Sequence, residues 1–223
     1  TTQTICYSEL GGETWVGEKT GCQRITTPAA LQAAVDASVP GTPIRILFKR
    51  GATITTPQLE ARDDSLEVIG AWGTGSRPII DLATRDISID RGFLRQRDPD
   101  NSLTTIMDLD FRGTWDSTQE VGNVGFQPVF SIGATTTDHF YMQYNIRLSG
   151  GGMWLTTANV SSNATVFFSD STLENWQDYG FFFNPMYLES KIILHGCKVV
   201  QDVDAMTGGA KGCLLYTSPS PRD

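Results

Sequence analysis

Two carboxylates stand one residue apart in Val200-Gln201-Asp202-Val203-Asp204, and an extended backbone puts alternate side chains on the same side. An oxygen pair of that kind suits a hard cation such as calcium. Asp178 closes the similar stretch Glu174-Asn175-Trp176-Gln177-Asp178 and joins Asp202 and Asp204 as a candidate metal ligand. The plain alternative is three solvated turn carboxylates. Trp176 and Tyr179 flank Asp178, and with Tyr141, Tyr144 and Trp154 they could offer flat apolar faces to a sugar ring. The competing reading for aromatics at such positions is core packing.

Other chemistries find less support. His139 and His195 are the two histidines; neither accompanies a G-x-S-x-G elbow, and each reads as a hydrogen-bonded outward side chain. Gly150-Gly151-Gly152 and Gly208-Gly209 precede neither a Lys-Ser/Thr pair nor a helical pattern, so they read as turns and not as a phosphate loop. A net charge of −8 disfavours a nucleic-acid partner, which needs a clustered basic surface. An acidic polymer is repelled as well, unless a bridging cation or a local basic patch draws it in. No apolar run is long enough to span a bilayer.

The elements that would position these residues are mostly strands. Among 223 residues there are 22 glycines, 11 phenylalanines and 5 tryptophans, and Thr and Ser are abundant, which favours short strands and tight turns over a bundle. Residues 213–223 stand apart, because Cys213-Leu-Leu-Tyr-Thr-Ser-Pro-Ser-Pro-Arg-Asp223 can be back-translated into a sequencing-library adaptor. They are read as a non-native tail, with the natural sequence cut short near Gly212. Cys6 and Cys22 bracket a Gly-rich stretch and suit a disulfide, which in an oxidising compartment would stabilise by about 3 kcal/mol for a loop of ~15 residues. Residues 1–26 are therefore expected to be a cap segment.

Thr27–Ala37 is the one convincing amphipathic helix, with Pro28 in its first turn and Ala30, Leu31, Ala34 and Val35 on one face. Strands are expected at Ile44–Phe48, Leu66–Gly70 and Ile79–Asp81. Further on, Phe140, Val166 and Ile192 each open a strand-like run, and each lies 26 residues from the next. In that frame Met142, Phe168 and Leu194 coincide, as do Asn145, Ser171 and Cys197, the last three as an inward ladder. Second strands are expected at Gly152–Leu155, Gly180–Phe183 and Ala205–Thr207, and Ile106–Phe111 fits as an upstream relative beyond an insertion. A repeat of this length signals stacked units that bury a shared core. The fold class expected for 27–212 is all-β, a right-handed parallel β-helix solenoid with an N-terminal capping helix, truncated at its C-terminus. Its last unit would expose strand edges, so aggregation of such a piece is expected.

Leu31-Gln-Ala-Ala-Val35, Ile46-Leu-Phe-Lys-Arg-Gly-Ala-Thr53 and Ile69-Gly-Ala-Trp-Gly-Thr-Gly-Ser-Arg-Pro-Ile-Ile-Asp81 resemble the opening of secreted β-helix proteins of the pectate-lyase-like superfamily. The resemblance implies an extracellular or periplasmic protein, monomeric when complete, with a polysaccharide as partner. It also implies a lyase chemistry, in which calcium on Asp178, Asp202 and Asp204 acidifies the proton beside a uronate carboxyl and Lys211 removes it. Lys211 is otherwise an ordinary surface lysine. The superfamily also holds hydrolases and non-catalytic adhesins. A hydrolase ranks below a lyase because Asp63-Asp64 lacks a preceding Gly and sits near the cap.

Overall fold

The computed structural model describes residues 2–9, 15, 17–39, 41–55, 59–61, 66–81, 93–97, 103–113, 128–134, 139–149, 152–157, 164–174, 181–184 and 191–200. One helix, α1 (Pro28–Asp36), starts where Thr27, in extended conformation, accepts a hydrogen bond at Oγ1 from the Ala30 amide at 3.3 Å. Pro28 fits there because the first helical N–H has no partner to lose. Leu31 and Val35, one turn apart, are the buried positions, whereas Ala30 of the expected face is exposed.

All other described elements are strands. The first sheet holds β1 (Gln3–Tyr7), β2 (Gln23–Ile25), β3 (Ile44–Lys49), β6 (Leu66–Trp72), β9 (Leu103–Met107), β12 (His139–Tyr144), β15 (Ala164–Ser169) and β18 (Lys191–His195). The second holds β4 (Thr53–Ile54), β7 (Ile79–Asp81), β10 (Asp110–Arg112), β13 (Arg147–Ser149), β16 (Thr172–Glu174) and β19 (Lys198–Val200). The third holds β5 (Leu59–Ala61), β8 (Leu94–Arg97), β11 (Pro128–Ala134), β14 (Gly152–Thr157) and β17 (Phe181–Asn184). From β3 onward the chain visits the three sheets in strict rotation, and every pair of neighbours runs parallel. Parallel neighbours need a crossover where antiparallel ones need a hairpin, and here the two other sheets supply it. Among the described residues the protein is thus mostly strands in parallel sheets, with one short helix.

Alternation decides which side of each strand is buried. In β3, Ile44, Ile46 and Phe48 are buried while Arg45, Leu47 and Lys49 lie on the other face. Ile5, Ile46, Ile69 and Ile106 stack in one inward column. Ile54, Ile80, Phe111, Leu148 and Leu173 make the matching column of the second sheet, and Leu59 and Leu94 that of the third. These columns form a single core, threaded by Phe48, Phe93 and Phe111 with ring centroids 5.8 and 5.2 Å apart. Each fully buried Ile, Leu or Phe contributes about 1.5–3 kcal/mol.

The turn from first to second sheet repeats with little change. Asp108, Asn145, Asp170 and Gly196 each follow a first-sheet strand, and all four have left-handed backbones, with φ of 60°, 51°, 50° and 62°. Asp, Asn and Gly are the residue types that tolerate this region. Val166 lies opposite Ile192 and Phe168 opposite Leu194, as the 26-residue frame requires. One interval is shorter, however. Val166 faces Tyr141 and not Phe140, and Phe168 faces Gln143 and not Met142. Asn145 therefore belongs to the left-handed column with Asp170, while Ser171 and Cys197 follow Ile146. The reason is the period of two: a slip of one residue would turn the whole strand inside out, so connections absorb the difference.

Of the expected second strands, the one at 152–155 lies within β14 and the one at 180–183 overlaps β17 at 181–183, with Met153 opposite Phe181. Glu174 and Val200 correspond as expected, but they end strands β16 and β19. Ala205–Thr207 lies outside the described residues. Cys6 and Cys22 form the expected disulfide, with Cα atoms 5.8 Å apart. The residues they tie belong to the first sheet or lie beside it, since β1 pairs with β3 on one side and β2 on the other.

Candidate functional site

The proposed ligands Asp178, Asp202 and Asp204, the proposed base Lys211, and Trp176 and Tyr179 all lie outside the described residues. What the structure places is where their segments begin. Trp176, Asp178 and Tyr179 follow β16, and Asp202 and Asp204 follow β19; these strands are neighbours, with Glu174 opposite Val200. Parallel neighbours are about 4.8 Å apart, so the two strand ends, Glu174 and Val200, lie side by side. Of the histidines, His139 and His195 occupy different rows: His139 lies opposite Ala164 and His195 opposite Ser169. They form no pair.

Charge is concentrated on the outer side of the second sheet. Asp110 and Arg147 are opposite one another in β10 and β13. The Asp110 carboxylate, its side chain only 13% exposed, accepts at Oδ2 from Arg112 Nη2 at 3.1 Å and from Arg147 Nη1 at 3.5 Å. Arg147 also donates from Nε to Glu174. Burial works against the charge on Arg147, but its bond to Glu174 and the fields of Asp110 and Glu174 outweigh it and raise its pKa. A guanidinium so held stays protonated, so Arg147 holds its carboxylate partners and does not itself abstract protons. Arg112 and Arg147 remain 48% and 40% exposed while Asp110 and Glu174 are 13% and 21%, so the cationic ends face solvent.

The left-handed column carries a second polar group. Asn145 Nδ2 donates to Asp108 Oδ1 at 2.6 Å, and Arg50 Nη2 donates to Asp108 Oδ2 at the same distance. Arg77 Nη1 donates to the Asn145 carbonyl at 3.1 Å, and Ser169 Oγ donates to Asp170 Oδ2 at 2.9 Å. These oxygens are taken up by arginine, amide and hydroxyl donors, an arrangement suited to holding a corner. Ser171, expected in an inward ladder, is indeed buried; its Oγ accepts from the Ile146 amide at 3.2 Å and donates to the Ser169 carbonyl at 2.8 Å. Cys197 adds a weak donor to the Phe168 carbonyl at 3.4 Å.

A third cluster sits over the outer face of the first sheet near the disulfide. Trp15 stacks on Trp72 with centroids 5.3 Å apart and planes 8° from parallel. Arg24 lies over Trp15 at 5.5 Å and Lys49 over Trp72 at 5.9 Å. Trp72 is 4% exposed, and its Nε1 donates to the Tyr7 carbonyl at 3.4 Å. Among the described residues, Cys6, Glu18 and Cys22 are the one group of three with metal-ligand atoms close together. Its two sulfurs are bonded to each other and Glu18 is paired with Arg24, so it does not answer the calcium expectation.

The sequence reading singled out none of Asp110, Arg147, Glu174, Trp15 or Trp72 as a site. The signal that could have found the first three was opposite charge across neighbouring strands, which is visible only once the register is known. Among the described residues no helix is long and apolar enough to cross a membrane. Set beside known proteins, the chain matches no family model, no curated protein and no solved structure.

Proposed function

We propose that the chain winds as a right-handed parallel β-helix and that it is a secreted, polysaccharide-active protein, acting most simply as a lyase on an acidic glycan. The observation that carries this reading is the strict rotation of the chain through three parallel sheets. A strand that returns to its own sheet in parallel does so by a right-handed crossover in nearly all proteins, which gives the winding its hand. Units stacked at about 4.8 Å present side chains at a regular repeat, close to the rise of one sugar in an extended chain, so a linear polymer is a natural ligand. Calcium, when bound by Asp178, Asp202 and Asp204, would supply a charge that acidifies the proton beside a uronate carboxyl. Lys211 would accept that proton, and Trp176 and Tyr179 would stack on the sugar rings.

A second reading, a non-catalytic carbohydrate-binding or adhesin-type β-helix, is favoured by one observation. The arginines on the outer face of the second sheet are engaged with carboxylates and serve as holding groups. One experiment separates the two. The protein is incubated with a polyuronate panel, with and without a calcium chelator, while ultraviolet absorbance reports unsaturated product and a pull-down reports binding. Chelator-sensitive product supports the lyase; retention without product supports the binder; neither product nor retention refutes both.

A further inference from the structure

We propose that reduction of the Cys6–Cys22 disulfide creates a site for zinc, held by the two cysteine sulfurs and one oxygen of Glu18 on the outer face of the first sheet. Among the described residues, these three alone bring metal-ligand atoms together, all within 4.8 Å of one another. A tetrahedral zinc with sulfur at about 2.3 Å and oxygen at about 2.0–2.2 Å spaces its ligand atoms roughly 3.5–3.8 Å apart. Small side-chain rotations cover the difference. Thiolates select zinc and not the calcium expected elsewhere, because calcium prefers oxygen.

Register and a turn set these positions together with the disulfide. Cys6 lies within β1, which is paired on both sides, and its partner across β2 is Arg24. Ile5 is opposite Gln23, so Cys22 stands directly ahead of that pairing. The Cys22 amide donates to the Lys19 carbonyl at 3.1 Å, closing a turn in which Gly21 takes a φ of 79°. Glu18, just before this turn, is thereby returned to Cys22. Arg24 donates from Nε to the two Glu18 oxygens at 3.1 and 2.9 Å. A carboxylate has about four acceptor sites, so Glu18 keeps room for a metal. Two thiolates and one carboxylate carry three negative charges, which zinc and the Arg24 guanidinium neutralise together. Cys6 is fully buried while Glu18 and Cys22 are half-buried, so the ion enters from their side and a water fills the fourth place. A phosphine opens the site by attacking the Cys22 sulfur and releasing Cys6 as a thiolate. Water then breaks the phosphorus–sulfur bond, giving a phosphine oxide and two thiols; phosphorus loses the two electrons that the disulfide gains. Zinc binding expels both thiol protons.

The test titrates cobalt(II), and then zinc, into the full chain before and after phosphine reduction, while circular dichroism follows the strands. The oxidised chain keeps the Cys197 thiol and serves as the control. We expect one cobalt per reduced chain, with tetrahedral d–d bands and a sulfur-to-metal charge-transfer band, both abolished by one equivalent of zinc. The oxidised chain and reduced Cys22→Ser should show neither at the same cobalt concentration. Glu18→Gln should keep both thiols but bind at least ~ten-fold more weakly. Equal spectra from the oxidised and reduced chains would overturn the proposal. So would a missing charge-transfer band when alkylation of a parallel sample counts both thiols free, or loss of the strand signal on reduction, since the site needs β1 and β2 in register. Unchanged affinity in Glu18→Gln would overturn the third ligand.

Discussion

Asn145 tests whether the left-handed column holds the fold at its corner. Its φ of 51° suits Asn and strains Ala, and its amide donates to the Asp108 carboxylate at 2.6 Å. Replacing it by Ala removes a hydrogen bond to a charged group, worth about 1.5–3 kcal/mol, and adds a left-handed strain of roughly 1–2 kcal/mol. Asp108 keeps Arg50 and is a quarter exposed, which places the bond at the lower end of its range. Asn145→Ala should therefore cost about 3 kcal/mol. Asn145→Gly loses the same bond but adopts the turn without strain, at a flexibility cost of about 0.5–1 kcal/mol, so it should lie ~0.5–1 kcal/mol above the Ala variant. Urea denaturation followed by circular dichroism reads both. An Ala variant within about 0.5 kcal/mol of the parent, the ordinary scatter of surface substitutions, would refute the argument. Equal losses for Ala and Gly would refute its backbone half.

Two further outcomes follow from the charged groups. Arg147→Met removes one of the two described arginine partners of the sunken Asp110 carboxylate and the described partner of Glu174, and should cost about 1–2 kcal/mol by the same denaturation assay; Arg147→Lys, able to reach one partner at a time, should fall between parent and Met. Glu18, hydrogen-bonded to Arg24, has its pKa lowered from the ordinary 4.5, because that bond and the guanidinium charge outweigh desolvation. A depressed acid stabilises the fold above its unfolded pKa and loses that contribution as pH falls through the lower folded value. Midpoints of the parent and Glu18→Gln should therefore differ by a small amount above pH 4.5 and converge in stronger acid. A gap that widens in acid would contradict the pairing.

The strands were legible where they were long enough to alternate. Ile44–Phe48, Leu66–Gly70 and Ile79–Asp81 each appear within a strand or as one, and α1 was marked by Pro28 and its apolar face. Ile79–Asp81, only three residues long, was marked by the turn before it, and β10 was touched by the Ile106–Phe111 run; the three-residue strands β13, β16 and β19 escaped, since so short a run shows no period of its own. What identifies them is the residue before: Asp108, Asn145, Asp170 and Gly196 are left-handed-tolerant types, each two places ahead of a second-sheet strand. An alignment anchored on those four would have placed Asn145 over Asp170 and avoided the one-residue slip that came from matching Phe140 to Val166. Apolar residues are interchangeable along a strand, whereas a positive φ admits few residue types, so the turn fixes register better than the strand does.

The same logic explains why the chemistry was hard to read. Asp178, Asp202, Asp204 and Lys211 lie outside the described residues, so no strand register ties them to a face. The strands settle only that Glu174 and Val200, the last described residues before two of these stretches, are neighbours. By contrast Asp110, Arg147 and Glu174 sit on regular strands, and their pairing follows from register alone. The pairing groups are thus written in the repeat, whereas the proposed reacting groups carry no such signal. A substitution on a strand should therefore move stability, whereas one in the segments after β16 or β19 should move glycan cleavage or retention at unchanged stability. Asp178, Asp202, Asp204 and Lys211 can be put to that separation one at a time, and loss of stability without change in glycan handling would remove each from the proposed site.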